Sequence, residues 1–335
     1  MIKLKPIKEN ERIAIAIPTK NRHNYLAVLL TSLIQQTYTN WMIVINDQSD
    51  LPIEEADTLK DLFTLIRNKG NELKIIYTKS GWDRHQRAME AVPESIEHIL
   101  RIDDDVMPTS TFLENILKPF HFFPHKPLAA VGGCYPEPHK KPIDLDVNLT
   151  DPSWIPKFDE PTWKLQGHHY YYARQIIEVE SLYGCAICYR RSSVQDVGGW
   201  AVKGYSDQAQ REESDLCARL VAEGYKLMMT TEALAWHLYA PSGGSREIKK
   251  TKQGNFLVSD KRPIEADDRL FQERVEQIIK TKNPVVKEPR RYEIGDLEKN
   301  LYKSTPMVTL KGKILKFIER KFLRPLRRLF WYFMK

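Results

Sequence analysis

An α/β fold built on a mostly parallel sheet is what this sequence predicts, and three observations predict it. Strand-like apolar runs alternate with helical segments between residues 12 and 102, in the order β-α-β-α-β-α-β. The runs Ile13–Ile17 and Trp41–Ile45 are apolar throughout, as strands covered on both faces are. Polar clusters follow three of the strands, at Pro18–Arg22, Asn46–Asp50 and Asp103–Asp105. Ligands of such sheets bind beyond the carboxyl ends of the strands, so the fold brings all three clusters to one rim.

Each element has its own signal. Arg12–Ile17 is the first strand and Pro18–Arg22 a turn. Leu26, Leu29, Leu30, Leu33 and Ile34 fall on one helical face. Trp41–Ile45 is the second strand, and a helix from Ile53 to Asn68 stops at Gly70. Leu73–Tyr77 is the third strand. The helical stretch Arg84–His98 carries Pro93 as a break or kink. Further strands are predicted at Val131–Gly133, Leu182–Tyr189 and Lys226–Thr230, and helices at Glu212–Gly224 and Asp267–Thr281. Between them, Pro136–Tyr172 is too Pro-interrupted for regular structure. Its Trp154, Trp163 and His168–Tyr172 offer either a face for an acceptor or aromatic anchors for a long loop.

The 335 residues, 42% hydrophobic, suffice for a sizeable core, and the net charge is +7. Four cysteines make no disulfide scaffold and fit a reducing compartment. Cys185 and Cys188 have redox or zinc spacing but no second pair, so two buried thiols are expected. The apolar run near the N-terminus is too short for a signal peptide, and no run is long enough to span a membrane.

Asp103-Asp104-Asp105 stands directly after Ile99, Leu100 and Ile102. Three adjacent carboxylates repel one another, and a divalent cation relieves that repulsion. Oxygen ligands suit Mg²⁺ or Mn²⁺. In an extended chain Asp103 and Asp105 share a face and Asp104 takes the other. The plain alternative is a solvated acidic turn before Pro108. A second acidic cluster, Glu212-Glu213-Ser214-Asp215, opens a helix. Glu213 shares a face with Leu216 and Leu220, which puts it above the core. Asp215 lies four residues before Arg219, as in an ion pair. Glu213 is therefore the chemical candidate and Asp215 the structural one.

Ile17-Pro-Thr-Lys-Asn-Arg22, Gln35-Gln-Thr-Tyr38 and Ile45-Asn-Asp-Gln-Ser-Asp50 resemble the opening of the family 2 glycosyltransferases, which have the GT-A fold. The aspartate run resembles that family's DxD motif. The resemblance continues in order through Gly184–Arg190, Gly198-Gly-Trp200, Glu212–Leu216 and Trp236-His237, covering about residues 12–245. It implies that Pro18, Thr19, Arg22, Asp47, Arg84, Asp103 and Asp104 meet a nucleotide-sugar donor. It further implies a Mn²⁺ or Mg²⁺ ion on Asp103, Asp105 and His237, with Glu213 as catalytic base and inversion at the anomeric carbon. Two departures stand out. Glu213 occupies a place where the family usually has Asp, and Trp82–Arg87 lacks the family's Arg-Asn pair, so either Arg84 or Arg87 is the candidate for the phosphates.

From Leu310 the pattern changes. Leu310, Ile314, Ile318, Phe322, Leu326, Leu329 and Phe333 keep helical spacing, and nine basic residues from Lys311 to Lys335 face one acid, Glu319. Such a helix suits an anionic membrane surface, through Lys316, Arg320, Arg324, Arg327, Arg328, Phe330 and Trp331. The rival readings are a helix packed on the catalytic domain, a dimer helix and a nucleic-acid arm; the aromatic density argues against the last and the basic charge against burial. The expected organisation is a catalytic domain at 1–245, a bracing segment at 246–305 and the basic helix at 306–335. The expected protein is cytoplasmic and peripheral on the inner face of the membrane, with a glycan or lipid-linked acceptor. A nucleotidyltransferase is the enzymatic alternative, but Pro18–Arg22 lacks the glycines of a phosphate loop. A non-catalytic membrane adaptor that retains the fold is the other.

Overall fold

The computed structural model describes residues 11–79, 81, 83–136, 158–159, 164–165, 174–200, 203–207, 209, 211–244, 249–250, 256–257, 262–282 and 291–304. The chain forms two compact units, 1–293 and 294–335. In the first, β1 (Ile13–Thr19), α1 (His23–Ile34), β2 (Trp41–Asp47), α2 (Asp57–Asn68), β3 (Glu72–Tyr77), α3 (Arg84–Glu90) and β4 (His98–Ile102) alternate. Then come β5 (Val106–Pro108), α4 (Phe112–Phe122), β6 (Leu128–Cys134), β7 (Phe158–Asp159), β8 (Lys164–Leu165), β9 (Gln175–Val179), β10 (Ala186–Arg190), α5 (Arg191–Asp196), α6 (Glu212–Ala222) and β11 (Lys226–His237). The unit closes with β12 (Lys249–Lys250), β13 (Phe256–Leu257), α7 (Arg262–Lys282) and β14 (Arg291–Glu293). The described part of the second unit is the helix α8 (Ile294–Ser304).

The main sheet runs β14-β9-β11-β6-β10-β4-β1-β2-β3, with β5 added on β11. Strands β4, β1, β2 and β3 are parallel, as their alternation with helices requires. Beyond β4 the sheet is mixed. β10 lies antiparallel between β4 and β6, and β6 pairs parallel with β11. An antiparallel neighbour needs no helical crossover, and the Pro-rich stretch before β10 carries no helical pattern. Every residue of β1, β2 and β4 is buried. Their Ile, Leu, Val and Met side chains face helices on both sides, and each fully buried one contributes about 1.5–3 kcal/mol.

Several elements differ from the sequence pattern. α3 ends at Glu90 rather than near residue 98, because Pro93 disfavours helical backbone in the residue before it. β11 does not stop at Thr230 but continues to His237. β10 begins at Ala186 instead of Leu182. α4, α5, α8, β5, β9, β12, β13 and β14 were not anticipated, and the short strands β7 and β8 pair within the stretch expected to lack regular structure. All four cysteines are buried free thiols, as expected. No helix among the described residues is long and apolar enough to cross a membrane. The aromatic candidates Trp154, Trp163 and His168–Tyr172 and the basic residues of 306–335 lie outside the described residues.

Candidate active site

The chain turns at Asp104 and Asp105 between β4 and β5, with the Asp103 N–H donating to Cys185 O at 2.8 Å. β5 then pairs antiparallel with the end of β11, setting Val106 opposite His237. Leu238 N–H donates to Asp105 O at 2.8 Å and extends the same ladder. The pairing brings Asp103, Asp105 and His237 together, with one ligand atom from each inside a mutual distance of 4.8 Å. His237 Nε2 is 3.3 Å from Asp105 Oδ1, and its Nδ1 is 3.3 Å from Cys185 Sγ. Burial pushes the Cys185 thiol well up, so it stays protonated. Burial also works to raise the Asp105 carboxyl, but His237, Arg22 and the Ala240 N–H outweigh it and hold the group at about 2. Two carboxylates and an imidazole whose second nitrogen is already engaged form a donor set that fits a divalent cation.

Asp104 faces away from this cluster. Its Oδ2 accepts from Thr19 Oγ1 at 2.8 Å, and its Oδ1 accepts from Arg22 Nη1 at 2.9 Å. Burial raises this carboxyl to about 6, against the pull of Arg22. Both Asp104 oxygens have partners inside the protein, and the residue lines the same cleft as Asp103 and Asp105. Arg22 also reaches Asp105 Oδ2 at 3.3 Å and donates to the carbonyls of Ser242 and Gly243 at 2.9 and 3.0 Å. It therefore ties the loop after β11 to the aspartates. Gly244 has φ +61°, and a Cβ on it would sit 2.7 Å from Arg22 Cζ, so only glycine fits beneath the guanidinium.

Pro18, Thr19, Lys20 and Arg22 line one cleft with Arg84, the three aspartates and His237. Asp47 is 1% exposed and serves its own loop, accepting from the N–H groups of Ser49 and Ile53 at 2.9 and 3.0 Å. Its neighbour Gln48 lines the cleft instead. Of the two candidate arginines, Arg84 lines the cleft and donates to Asp207 O at 2.9 Å. Arg87 pairs with Asp83 on an exposed face.

α6 starts with Glu212 and Glu213 after Arg211, a non-glycine residue at φ 76°. Backbone strain of this kind gathers where structure is held for function. The Glu213 carboxylate lies over Gly184, where a Cβ would come within 2.9 Å of its Cδ. Glu212 is buried against His85 Nε2 at 3.2 Å and Arg101 Nη2 at 3.4 Å. Burial raises its carboxyl to about 7, while it lowers His85 far enough to keep the imidazole neutral. Asp215 is structural as expected, paired with Arg219 at 2.7 Å and also with Arg274. His85 and Arg101 had not been assigned roles. A charge inside an apolar strand was the available signal for Arg101.

The mixed sheet with an acidic rim at the carboxyl ends of its parallel strands is a GT-A type fold. Residues 14–198 match the profile of Glycosyl transferase family 2, and the chain belongs to that family. Among solved structures the chain resembles S. aureus TarS, at 16% identity and a TM-score of 0.45 over 69% of this chain and 37% of that one. It also resembles S. aureus TarS 1-349 in complex with UDP, at 17% identity and a TM-score of 0.44 over 69% and 61%. Mannosyltransferase PcManGT from Pyrobaculum calidifontis in complex with GDP-Man and Mn2+ is similar at 11% identity and a TM-score of 0.48, over 90% and 79%. No curated protein matches the chain. The chain spans less than two thirds of the length of the TarS chains.

Proposed function

We propose that the chain transfers a sugar from a nucleotide-diphosphate sugar to an acceptor hydroxyl with inversion. The observation that carries this reading is the meeting of Asp103, Asp105 and His237 at the sheet rim, with the Glu213 carboxylate over Gly184, next to the Cys185 that contacts His237. A divalent ion on those three ligands, Mn²⁺ or Mg²⁺, supplies charge neutralisation for the departing diphosphate. Glu213 accepts the proton of the acceptor hydroxyl. Lys20 and Arg84 present positive charge to the phosphates, and Pro18 and Thr19 form the wall against the nucleoside. Asp47 shapes the loop that carries Gln48 into the cleft.

In this reading residues 306–335 lie on the anionic inner face of the membrane through their basic and aromatic side chains. The acceptor is then a lipid-linked or membrane-proximal glycan, and the product belongs to cell-surface polysaccharide or lipid-linked oligosaccharide synthesis.

Thermal shift against UDP-, GDP- and dTDP-sugars, with and without Mn²⁺ or Mg²⁺, tests the donor site. One donor is expected to raise the melting temperature in a metal-dependent way, and Asp105→Asn is expected to abolish the rise. Glu213→Gln is expected to keep the donor-induced shift and lose transfer. A cooperative melt that no donor moves, or a Glu213→Gln chain that transfers at the native rate, overturns the reading.

A further inference from the structure

β4 is buried along its whole length, yet its fourth residue is an arginine. Arg101 is 4% exposed. A guanidinium keeps its proton inside a protein, so this strand carries a permanent charge within the core. Such burial is unfavourable unless acids and acceptors surround the group. Arg101 Nη2 lies 3.4 Å from Asp103 Oδ1, 3.4 Å from Glu212 Oε1 and 2.7 Å from His85 Nε2. Its guanidinium sits 5.7 Å from the Trp200 ring centroid. Nη1, by contrast, has no hydrogen-bond partner among the described residues. Gly184 shows where it points. The position a Cβ would take on Gly184 is 3.0 Å from Arg101 Nη1 and 3.0 Å from Glu213 Oε1. The unsatisfied N–H group and the Glu213 carboxylate therefore border one small gap, and the gap exists because residue 184 has no side chain.

We propose that Arg101 is a positioning residue for the transfer reaction: it ties Asp103 of the metal-ligand set to Glu212 at the start of α6 and sets its guanidinium beside the Glu213 side chain. The inference rests on the reading of Glu213 as proton acceptor. Among the described residues, the groups electrostatically coupled to Glu213 include Arg101 on β4, Glu212 and Cys217 on α6, Tyr189 and Cys185 at β10, and Tyr205 ahead of α6. Arg101 is the cation of that set. Glu212 opposes it, and the neutral His85 on the far side of the guanidinium adds no charge. One buried cation thus joins the metal-ligand set to the start of α6 and borders the gap that Glu213 faces.

A reporter thiol tests this without a known acceptor. The four native cysteines are buried, so Glu213→Cys introduces the accessible one. Its alkylation by iodoacetamide follows the thiolate fraction, and the pH midpoint reads the local field. Adding Arg101→Met is expected to raise that midpoint by about one pH unit, roughly a tenfold loss of thiolate at a fixed lower pH. Gly184→Ala, which pushes the two groups apart and removes no charge, is expected to raise it by less. Should Arg101→Met fail to fold, Gly184→Ala carries the test. An unmoved midpoint in a cooperatively melting variant overturns the inference.

In the chain that keeps Glu213, Arg101→Met is expected to move the acidic limb of kcat for donor hydrolysis upward, while KM for the donor changes less than about threefold. An unmoved limb overturns the role of Arg101. Glu213→Gln separates the two readings. If that chain still transfers although the midpoint moved, the proton-acceptor reading falls and the inference falls with it. If it is inactive and the midpoint stays, only the role of Arg101 falls.

Discussion

The Cys185 thiol lies 3.3 Å from His237 Nδ1, on the side of the ring away from Asp105. With a metal ion between His237 and Asp105, a protonated thiol can accept the Nδ1–H and so leave the Nε2 lone pair for that ion. The thiol fixes the tautomer that a metal ligand needs.

Replacing Cys185 with Ala removes that partner and keeps the small buried volume. Outer partners of ligating histidines typically change metal affinity by about 10–100-fold when lost. Mn²⁺ affinity measured by calorimetry is expected to fall by about tenfold in Cys185→Ala and by less in Cys185→Ser. Equal affinity in all three chains would show that the contact does not orient the ring.

Glu212 gives the apo protein a defined pH dependence. Its carboxyl is raised from 4.5 to about 7 in the folded chain, first through burial and then through Glu213 and Asp103, against the pull of Arg84 and Arg101. The native state holds this proton more tightly than the unfolded chain does. Its contribution is therefore fully present below pH 4.5 and is lost as pH rises through about 7. The loss amounts to roughly 3 kcal/mol at about 1.4 kcal/mol per pH unit. Because the lowered His85 contributes an opposite slope, urea unfolding between about pH 4.5 and 7.5 is expected to show stability changing less favourably with rising pH in the native chain than in Glu212→Gln. An identical slope in both chains would refute this assignment.

Gly244→Ala tests the clamp under the loop that follows β11. The new methyl meets Arg22 Cζ at 2.7 Å, and the backbone sits at φ +61°. A loss of about 1–3 kcal/mol is expected in chemical denaturation, with weaker donor binding because Arg22 must move. Native stability in this variant would show that the loop has room to adjust.

Asp267 on α7 tests the brace behind Glu213. Its carboxylate accepts from both Ser206 N–H and Ser206 Oγ at 2.7 Å, and its neighbour Asp268 pairs with Arg211 at 2.7 Å. Asp267→Ala is expected to lower stability by about 1–3 kcal/mol. It is also expected to reduce kcat about tenfold with donor affinity unchanged, through misplacement of α6. Unchanged kcat in a folded variant would separate the brace from the chemistry.

The alternation of β1 to β4 with helices was readable because β1, β2 and β4 are buried on both faces and α1 and α2 each have one apolar stripe. The two acidic clusters were readable because charge at a strand end or helix start stands out. The end of β11 was harder. Thr230, Thr231 and Glu232 interrupt the apolar run, and the register with β6 slips between Met229 and Leu234, so a strand with an irregularity looked like one that had ended. α4 had a legible stripe, Phe112, Leu113, Ile116, Leu117 and Phe120, all buried. The contact of Cys185 with His237, and the meeting of Arg101 with His85 and Glu212, arise from tertiary packing that no local pattern encodes. Both oxygens of Asp104 were unforeseen partners of Thr19 and Arg22 for the same reason.

The ladder between β5 and β11 has a kinetic meaning. Asp105 Oδ2 accepts from Ala240 N–H, a residue 135 positions further along the chain. A contact so distant in sequence is closed late, because loop-closure entropy must be met before it forms. The nascent chain leaves the ribosome with Asp103 and Asp105 well before His237 exists. Asp103, Asp105 and His237 meet only when β11 joins the sheet. During refolding, Mn²⁺ quenching of Trp fluorescence is therefore expected to appear with the slowest folding phase, so that capture of the ion reports the completed domain.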